Sequence, residues 1–225
     1  GRTRASVPLV HSPHIRQGNA LRTDWAEVLA PAQCSFIVGN PPFIGRQHQN
    51  AEQKADLERV YGNAKGAGVL DYVAAWYLRA ARYMQANAAV RTAFVSTNSL
   101  CQGEQVAALW SLLLPLGAQI HFAHRSFKWS NEGRGVAAVH CVIVGFALHA
   151  PTAPVRVFDY AQDIAGDGVE SMVGRLNPYL VEGPDVLIDK RRKPLQAGVP
   201  EVVFGNMPND GGHLLLSAEE AAQIR

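Results

Sequence analysis

The run Phe36-Ile37-Val38 followed by Gly39-Asn40-Pro41-Pro42-Phe43 constrains this chain more than any other stretch. A short β-branched and aromatic run reads as a buried strand. Two consecutive prolines carry no N–H and hold φ at about −65°, so the chain must leave its sheet stiffly there. A rigid turn at a strand's carboxyl end is where open α/β sheets place their ligands. This one presents an amide side chain, a carbonyl and an aromatic ring together. The Asn40 side-chain oxygen and the Pro41 carbonyl are two acceptors, enough for both hydrogens of an exocyclic amino group on a flat base. Holding both favours the pyramidal, positively charged nitrogen that develops when such an amine attacks a methyl group. Preorganised polar groups of this kind are worth about 10²–10³ in rate. Phe43 suits stacking on the ring, at roughly 1–3 kcal/mol per base. The bland alternative is a Pro-Pro turn with Asn40 as a local turn former and Phe43 as core.

Around this turn the chain alternates strand and helix patterns. Residues 13–16 read as a short strand leading into Gly18-Asn19-Ala20, and 23–29 as a helical or turn segment. Residues 50–62 are polar and helix-compatible, and are expected to cross the site as a mobile loop. Residues 70–86 carry the clearest helical period of apolar side chains. Residues 91–96 read as a strand and 105–114 as a helix stopped by Pro115 and Gly117. A strand at 119–124 and another at 136–146 are joined by a hairpin-like loop. This order implies an α/β fold, a parallel sheet covered on both faces and finished by an antiparallel edge hairpin. At 150–154 the composition shifts to Pro and Ala, the boundary expected between a domain over 1–150 and the start of a mixed α+β module over 151–225.

Composition narrows the function only by exclusion. With 48% apolar and 18% charged residues, the chain is an ordinary globular protein rather than a disordered one. A net charge of +2 is too small to argue for nucleic acid by itself. Cys34, Cys101 and Cys141 each lie beside an apolar run and are expected to be buried free thiols, in keeping with a cytoplasmic location. No apolar segment reaches membrane-spanning length, so no membrane partner is expected. The eight histidines, among them His121, His124 and His140, show no metal spacing.

With its strand and Asn40-Pro41-Pro42-Phe43, the chain resembles the amino-methylating, S-adenosylmethionine-dependent, adenine-specific DNA methyltransferases. Their hallmark is Asn/Asp-Pro-Pro-Tyr/Phe/Trp. It is similar in particular to the MmeI-like, type IIG branch of bifunctional restriction–methylation enzymes. The strings that carry this are Gly18-Asn19-Ala20-Leu21-Arg22-Thr23-Asp24-Trp25, Phe122-Ala123-His124-Arg125-Ser126-Phe127-Lys128-Trp129 and Ala138-Val139-His140-Cys141-Val142-Ile143-Val144-Gly145-Phe146. Asn177-Pro178-Tyr179-Leu180 and Phe204-Gly205-Asn206-Met207-Pro208-Asn209-Asp210-Gly211-Gly212 continue it. The resemblance implies a Rossmann-like class I methyltransferase sheet, S-adenosylmethionine as cofactor and double-stranded DNA as partner. A nuclease domain in the same parent chain would accompany it in this branch.

The resemblance also implies roles at particular residues. Asn40, Pro41, Pro42 and Phe43 form the catalytic turn, and Phe127 is the second base-stacking aromatic, with Trp129 its rival. Asn19 stands where the family usually has Asp against the cofactor's adenine; a turn residue is the alternative. Asp71 opens the helical segment beside the cofactor and Trp76, a turn and a half further in, stands where an aromatic packs against its adenine, while Asp71 judged alone suits a helix cap and Trp76 suits core. Asp24 is expected to cap the segment after it. Arg125, Lys128, Arg134, Lys190, Arg191 and Arg192 are candidates for DNA contact, or simply solvated charge.

One expected part is missing. The residues before Asn40 contain no Gly-rich strand-to-helix turn for the cofactor's methionine end, and Gly62-Asn63-Ala64-Lys65-Gly66-Ala67-Gly68 comes after no strand. Ser217 with Glu220 resembles a helix start shortly before Arg225. The chain is therefore expected to be a fragment, inactive alone, of a longer methyltransferase. A protein-glutamine or RNA amino-methyltransferase, or a non-catalytic DNA-binding module, are the rival readings.

Overall fold

The computed structural model describes residues 13–129, 139–160, 164, 166–191, 196, 198 and 217, with the backbone alone at Trp129 and Val139. The chain divides into Gly1–Asp189 and Lys190–Arg225, and all the described strands and helices belong to the first unit. Six strands form one mixed sheet: β1 Phe36–Gly39, β2 Arg91–Thr97, β3 Gln119–Trp129, β4 Val139–Ala147, β5 Val155–Asp159 and β6 Val169–Val173. Their order across the sheet is β1-β2-β4-β3-β5-β6. The β1–β2 and β3–β5 pairs are parallel and the others antiparallel. The carboxyl ends of β1, β2, β3 and β5 therefore share one edge, and Asn40 stands on it.

Three helices accompany the sheet: α1 Ala51–Tyr61, α2 Ala74–Met84 and α3 Glu104–Leu113. The core lies between the sheet and α2 and α3. The Tyr77 ring of α2 sits 5.3 Å from Phe94 of β2 and 5.6 Å from Phe146 of β4, all three fully buried with Trp110 of α3. β2 alternates strictly, with Thr92, Phe94 and Ser96 inward, as a strand with one covered face must. Cys34, Cys101 and Cys141 are buried free thiols, and burial pushes the Cys101 thiol up to about 12. Among the described residues no helix is long and apolar enough to cross a membrane.

Several expectations are corrected. Residues 13–17 form no strand. Residues 51–61 form helix α1 rather than a loop, started by a reciprocal capping box between Asn50 and Gln53 and anchored by buried Asp56, Leu57, Val60 and Tyr61. The antiparallel β3–β4 hairpin is interior to the sheet, because β5 pairs alongside β3 with Val155 and Val157 fully buried, and β6 lies beyond it. The compositional shift at 150–154 thus falls between two strands of one sheet. Among the described residues, the helices cover one face of the sheet. Phe36 is 66% and Val38 77% exposed, although their sequence reads as a buried run. On that open face the Phe122 ring lies directly over Gly145, where a Cβ would come within 2.0 Å of it.

The helix ending expected at Pro115 and Gly117 is present, with a 3-10 turn Leu114–Leu116 closed by Gly117 at φ 88°. A Cβ there would also meet the Leu148 carbonyl oxygen at 3.3 Å. Gly117→Ala is expected to destabilise the protein by about 1–2 kcal/mol, read as a lowered midpoint in chemical denaturation.

Candidate active site at the carboxyl edge of the sheet

The Asn40-Pro41-Pro42-Phe43 turn leaves β1 with Asn40 exposed, Pro41 buried and Phe43 half-buried against the core. The chain just beyond Phe43 is tied down at two points. The Ile44 carbonyl accepts from Tyr72 N at 2.9 Å, and Arg46 N donates to Asp71 Oδ1 at 3.0 Å. The other Asp71 oxygen accepts from Ser99 Oγ at 2.6 Å, just beyond the end of β2, with Thr97 Oγ1 at 3.5 Å. Asp71 N donates in turn to Gln105 Oε1 at 3.0 Å. Asp71 is buried, and its carboxylate braces the segment after the Asn-Pro-Pro-Phe turn against the end of β2. It does not cap α2, whose N-cap is Val73 with no side-chain bond. Asp24 does cap, accepting from Ala26 N at 3.0 Å.

A second cluster gathers Asn19 and Trp76. Asn19 Nδ2 donates to Asp56 Oδ2 at 2.8 Å, and Tyr72 OH donates to the same oxygen at 2.8 Å. Arg22 Nε donates to Asp56 Oδ1 at 2.6 Å. The Tyr72 ring meets Trp76 edge-on at 5.2 Å. Burial alone would push the Asp56 carboxyl up, but the hydrogen bonds from Arg22, Tyr72 and Asn19 outweigh it and hold it below the ordinary value. The stability this ionised group contributes is present above the unfolded carboxylate range and is lost as pH falls through the lowered folded value.

Phe127 lies within β3, paired with Cys141 of β4, and not in a loop as its sequence implied. A register shift between His124 and Phe127 re-aims this end of the strand. The Phe127 ring sits 5.2 Å from Tyr160 and 6.3 Å from His124, and His124 Nδ1 is 2.7 Å from Tyr160 OH. Arg125 is engaged internally, its Nη1 2.7 Å from Asp159 Oδ2 and its Nε donating to the Leu180 carbonyl at 2.9 Å. Lys128 is exposed. Lys190 and Arg191 are exposed residues of the second unit. Arg134, Arg192, the Trp129 side chain and residues 218–220 of the expected helix start lie outside the described residues.

Residues 1–159 match the family model of the MmeI DNA-methyltransferase domain, which is more than half of the chain. The chain belongs to the MmeI DNA-methyltransferase family. Residues 182–225 match the MmeI target recognition domain. DNA methyltransferase A of Bacillus subtilis (strain 168) is 42% identical over 220 residues, covering 96% of this chain and 24% of that protein. The structure of the type IIL restriction–modification enzyme MmeI in complex with DNA superposes with a TM-score of 0.89 at 49% identity, over 99% of this chain and 29% of that one. The chain thus spans about a quarter of the length of these relatives.

Within this MmeI-type fold, the residues singled out from sequence fall into three places. Asn40, Pro41, Pro42, Phe43 and Phe127 stand along one sheet edge, and Asn19 and Trp76 meet through Asp56 and Tyr72. Asp71 lies behind the Asn40-Pro41-Pro42-Phe43 turn. Sequence reasoning missed Asp56, Tyr72, Thr97, Ser99 and Arg22. Asp56 sits among Glu52, Lys54 and Glu58 on a polar helix and reads there as surface charge. No local signal marks it.

Proposed function

We propose that the full-length protein carrying these residues transfers a methyl group from S-adenosylmethionine to the exocyclic amino group of a flipped adenine in DNA, within a restriction–modification system. Membership of the MmeI family supports the reaction class. The observation that carries the residue-level reading is the doubly braced turn, which leaves Asn40 exposed while Ile44 and Arg46 are fixed behind it. In this reading the Asn40 side-chain oxygen and the Pro41 carbonyl accept the two amino hydrogens, and the protein spends nothing on reorganising them as charge develops. Extruding the base from the duplex costs a few kcal/mol. Phe43 and Phe127 compensate by stacking.

S-adenosylmethionine would supply an electrophilic methyl group, and the residues present fit its adenine end: Asn19 keeps polar capacity at a half-exposed position and is joined through Asp56 and Tyr72 to the half-buried Trp76 ring. Asp71 is assigned to this site only as a brace. Lys128, Lys190 and Arg191 offer exposed charge for DNA phosphates, and Arg134 and Arg192 belong to the same proposal. A nuclease activity would reside elsewhere in the polypeptide.

The test is methyl transfer from labelled cofactor to unmodified DNA, with the product then digested to nucleosides. Methyladenine is expected; label on another base, or on protein or RNA only, overturns the reading. Phe127→Ala is expected to lower kcat/KM for DNA by about ten- to a hundredfold, the worth of one stacked base. A change under about twofold would move the stacking role to another aromatic.

A further inference from the structure

Asn19 has both ends of its amide committed. Its Oδ1 accepts from Leu21 N at 2.9 Å, and its Nδ2 donates to Asp56 Oδ2 at 2.8 Å. A backbone N–H can only donate and an ionised carboxylate can only accept, so these partners permit one orientation of the amide. One Nδ2 hydrogen and one Oδ1 lone pair are left over, in a fixed order. Asp56 itself is 2% exposed and is held from three sides by Asn19, Arg22 and Tyr72. Tyr72 in turn carries the Trp76 ring against its edge. A single buried carboxylate therefore orients two residues that lie far apart in sequence.

We propose that Asp56 is a positioning residue for the methyl donor's adenine, fixing which end of the Asn19 amide faces the cofactor and making asparagine, not aspartate, the residue that position 19 requires. This rests on the reading of Asn19 as a donor-site residue. A carboxylate at position 19 would stand at hydrogen-bond distance from Asp56 Oδ2, and two carboxylates that close cannot both stay ionised. The amide keeps the same shape and supplies the donor that Asp56 needs. The departure of position 19 from the family's usual acid is thereby explained by a partner 37 residues away.

The experiment measures equilibrium binding of S-adenosylmethionine to the full-length protein and its variants by calorimetry and varies donor concentration in DNA methylation, each below the unfolding midpoint. Affinity should follow the same pattern as KM. Asn19→Asp and Asp56→Asn are each expected to raise the KM for S-adenosylmethionine about tenfold. Turnover at saturation should change by less than about threefold, because the lost contact serves binding rather than the transition state. The double variant N19D/D56N exchanges acid and amide, and should return KM to within about threefold of wild type. Independent losses that add in the double variant overturn the proposal, since two residues that act through one hydrogen bond are coupled. Asn19→Ala separates the two levels. An unchanged donor KM in that variant removes Asn19 from the donor site and the proposal with it. A raised KM there, with N19D and D56N both normal, overturns the role of Asp56 alone. Should Asp56→Asn fail to fold, N19D still decides: a donor KM equal to wild type overturns the proposal.

Discussion

Asn40→Ala in the full-length protein should reduce methyl transfer by at least about 10²–10³-fold, the cost of removing one preorganised acceptor from the developing charge. Asn40 is exposed at the end of β1, and no described residue bonds its side chain, so the substitution leaves no buried group unpartnered. The unfolding midpoint should stay near wild type. DNA affinity should also hold within about threefold, because affinity comes chiefly from backbone contacts spread over many residues. Methylation kinetics beside a DNA titration tests both halves. Near-normal turnover would sink the catalytic assignment of the turn, and equal losses of turnover and binding would make it a DNA-contact residue instead.

Asp71→Ala should have the largest effect on stability, about 3 kcal/mol, because it strips acceptors from several donors at once. Arg46 N loses its acceptor at 3.0 Å and Ser99 Oγ its acceptor at 2.6 Å, while Ser99 keeps Thr97 Oγ1 at 2.8 Å. The Asn40-Pro41-Pro42-Phe43 turn should loosen as well, since Arg46 is one of the two points that fix the chain behind it. Asp71→Asn is the informative companion. Its remaining carbonyl oxygen can still receive Arg46 N, and the Ser99 hydroxyl can turn round to accept from the new amide. A cost of about 1 kcal/mol is expected for it. Denaturant midpoints of the two variants, with turnover measured under folded conditions, check the assignment; an alanine variant as stable as the asparagine one would show that the brace contributes little.

The elements readable from sequence were those whose signals are local. Phe36-Ile37-Val38 with its Pro-Pro stop is a strand and turn whatever surrounds it, and helix α2 is implied by an apolar period that spans three turns. The stop at Gly117 was readable for the same reason. Exposure was not readable. Phe36 and Val38 look like core by type, yet they lie on the sheet face that no described helix covers. The membership of β5 and β6 in the sheet depends on pairing with β3, a contact between distant residues that composition at 150–154 obscures.

The site divides along the same line. The identity of the turn, its amide and its ring, and the chemistry they suit are properties of consecutive residues, because proline's missing N–H and fixed φ act on the nearest neighbours. Asp71 shows where that stops. Its place ahead of a helix implies a cap, but the folded chain offers Arg46 N and Ser99 Oγ, and those bonds direct its carboxylate across to the turn and β2 instead. Asp56 is decided still further from sequence. An acid in a polar helix is solvated by default, and only the packing of α1 against the Asn19 turn and the start of α2 surrounds it with donors that outweigh its burial. The sequence alone determined the Asn40-Pro41-Pro42-Phe43 turn; the tertiary structure decided what holds it, since buried charge is tolerated only where distant segments bring their hydrogen bonds together.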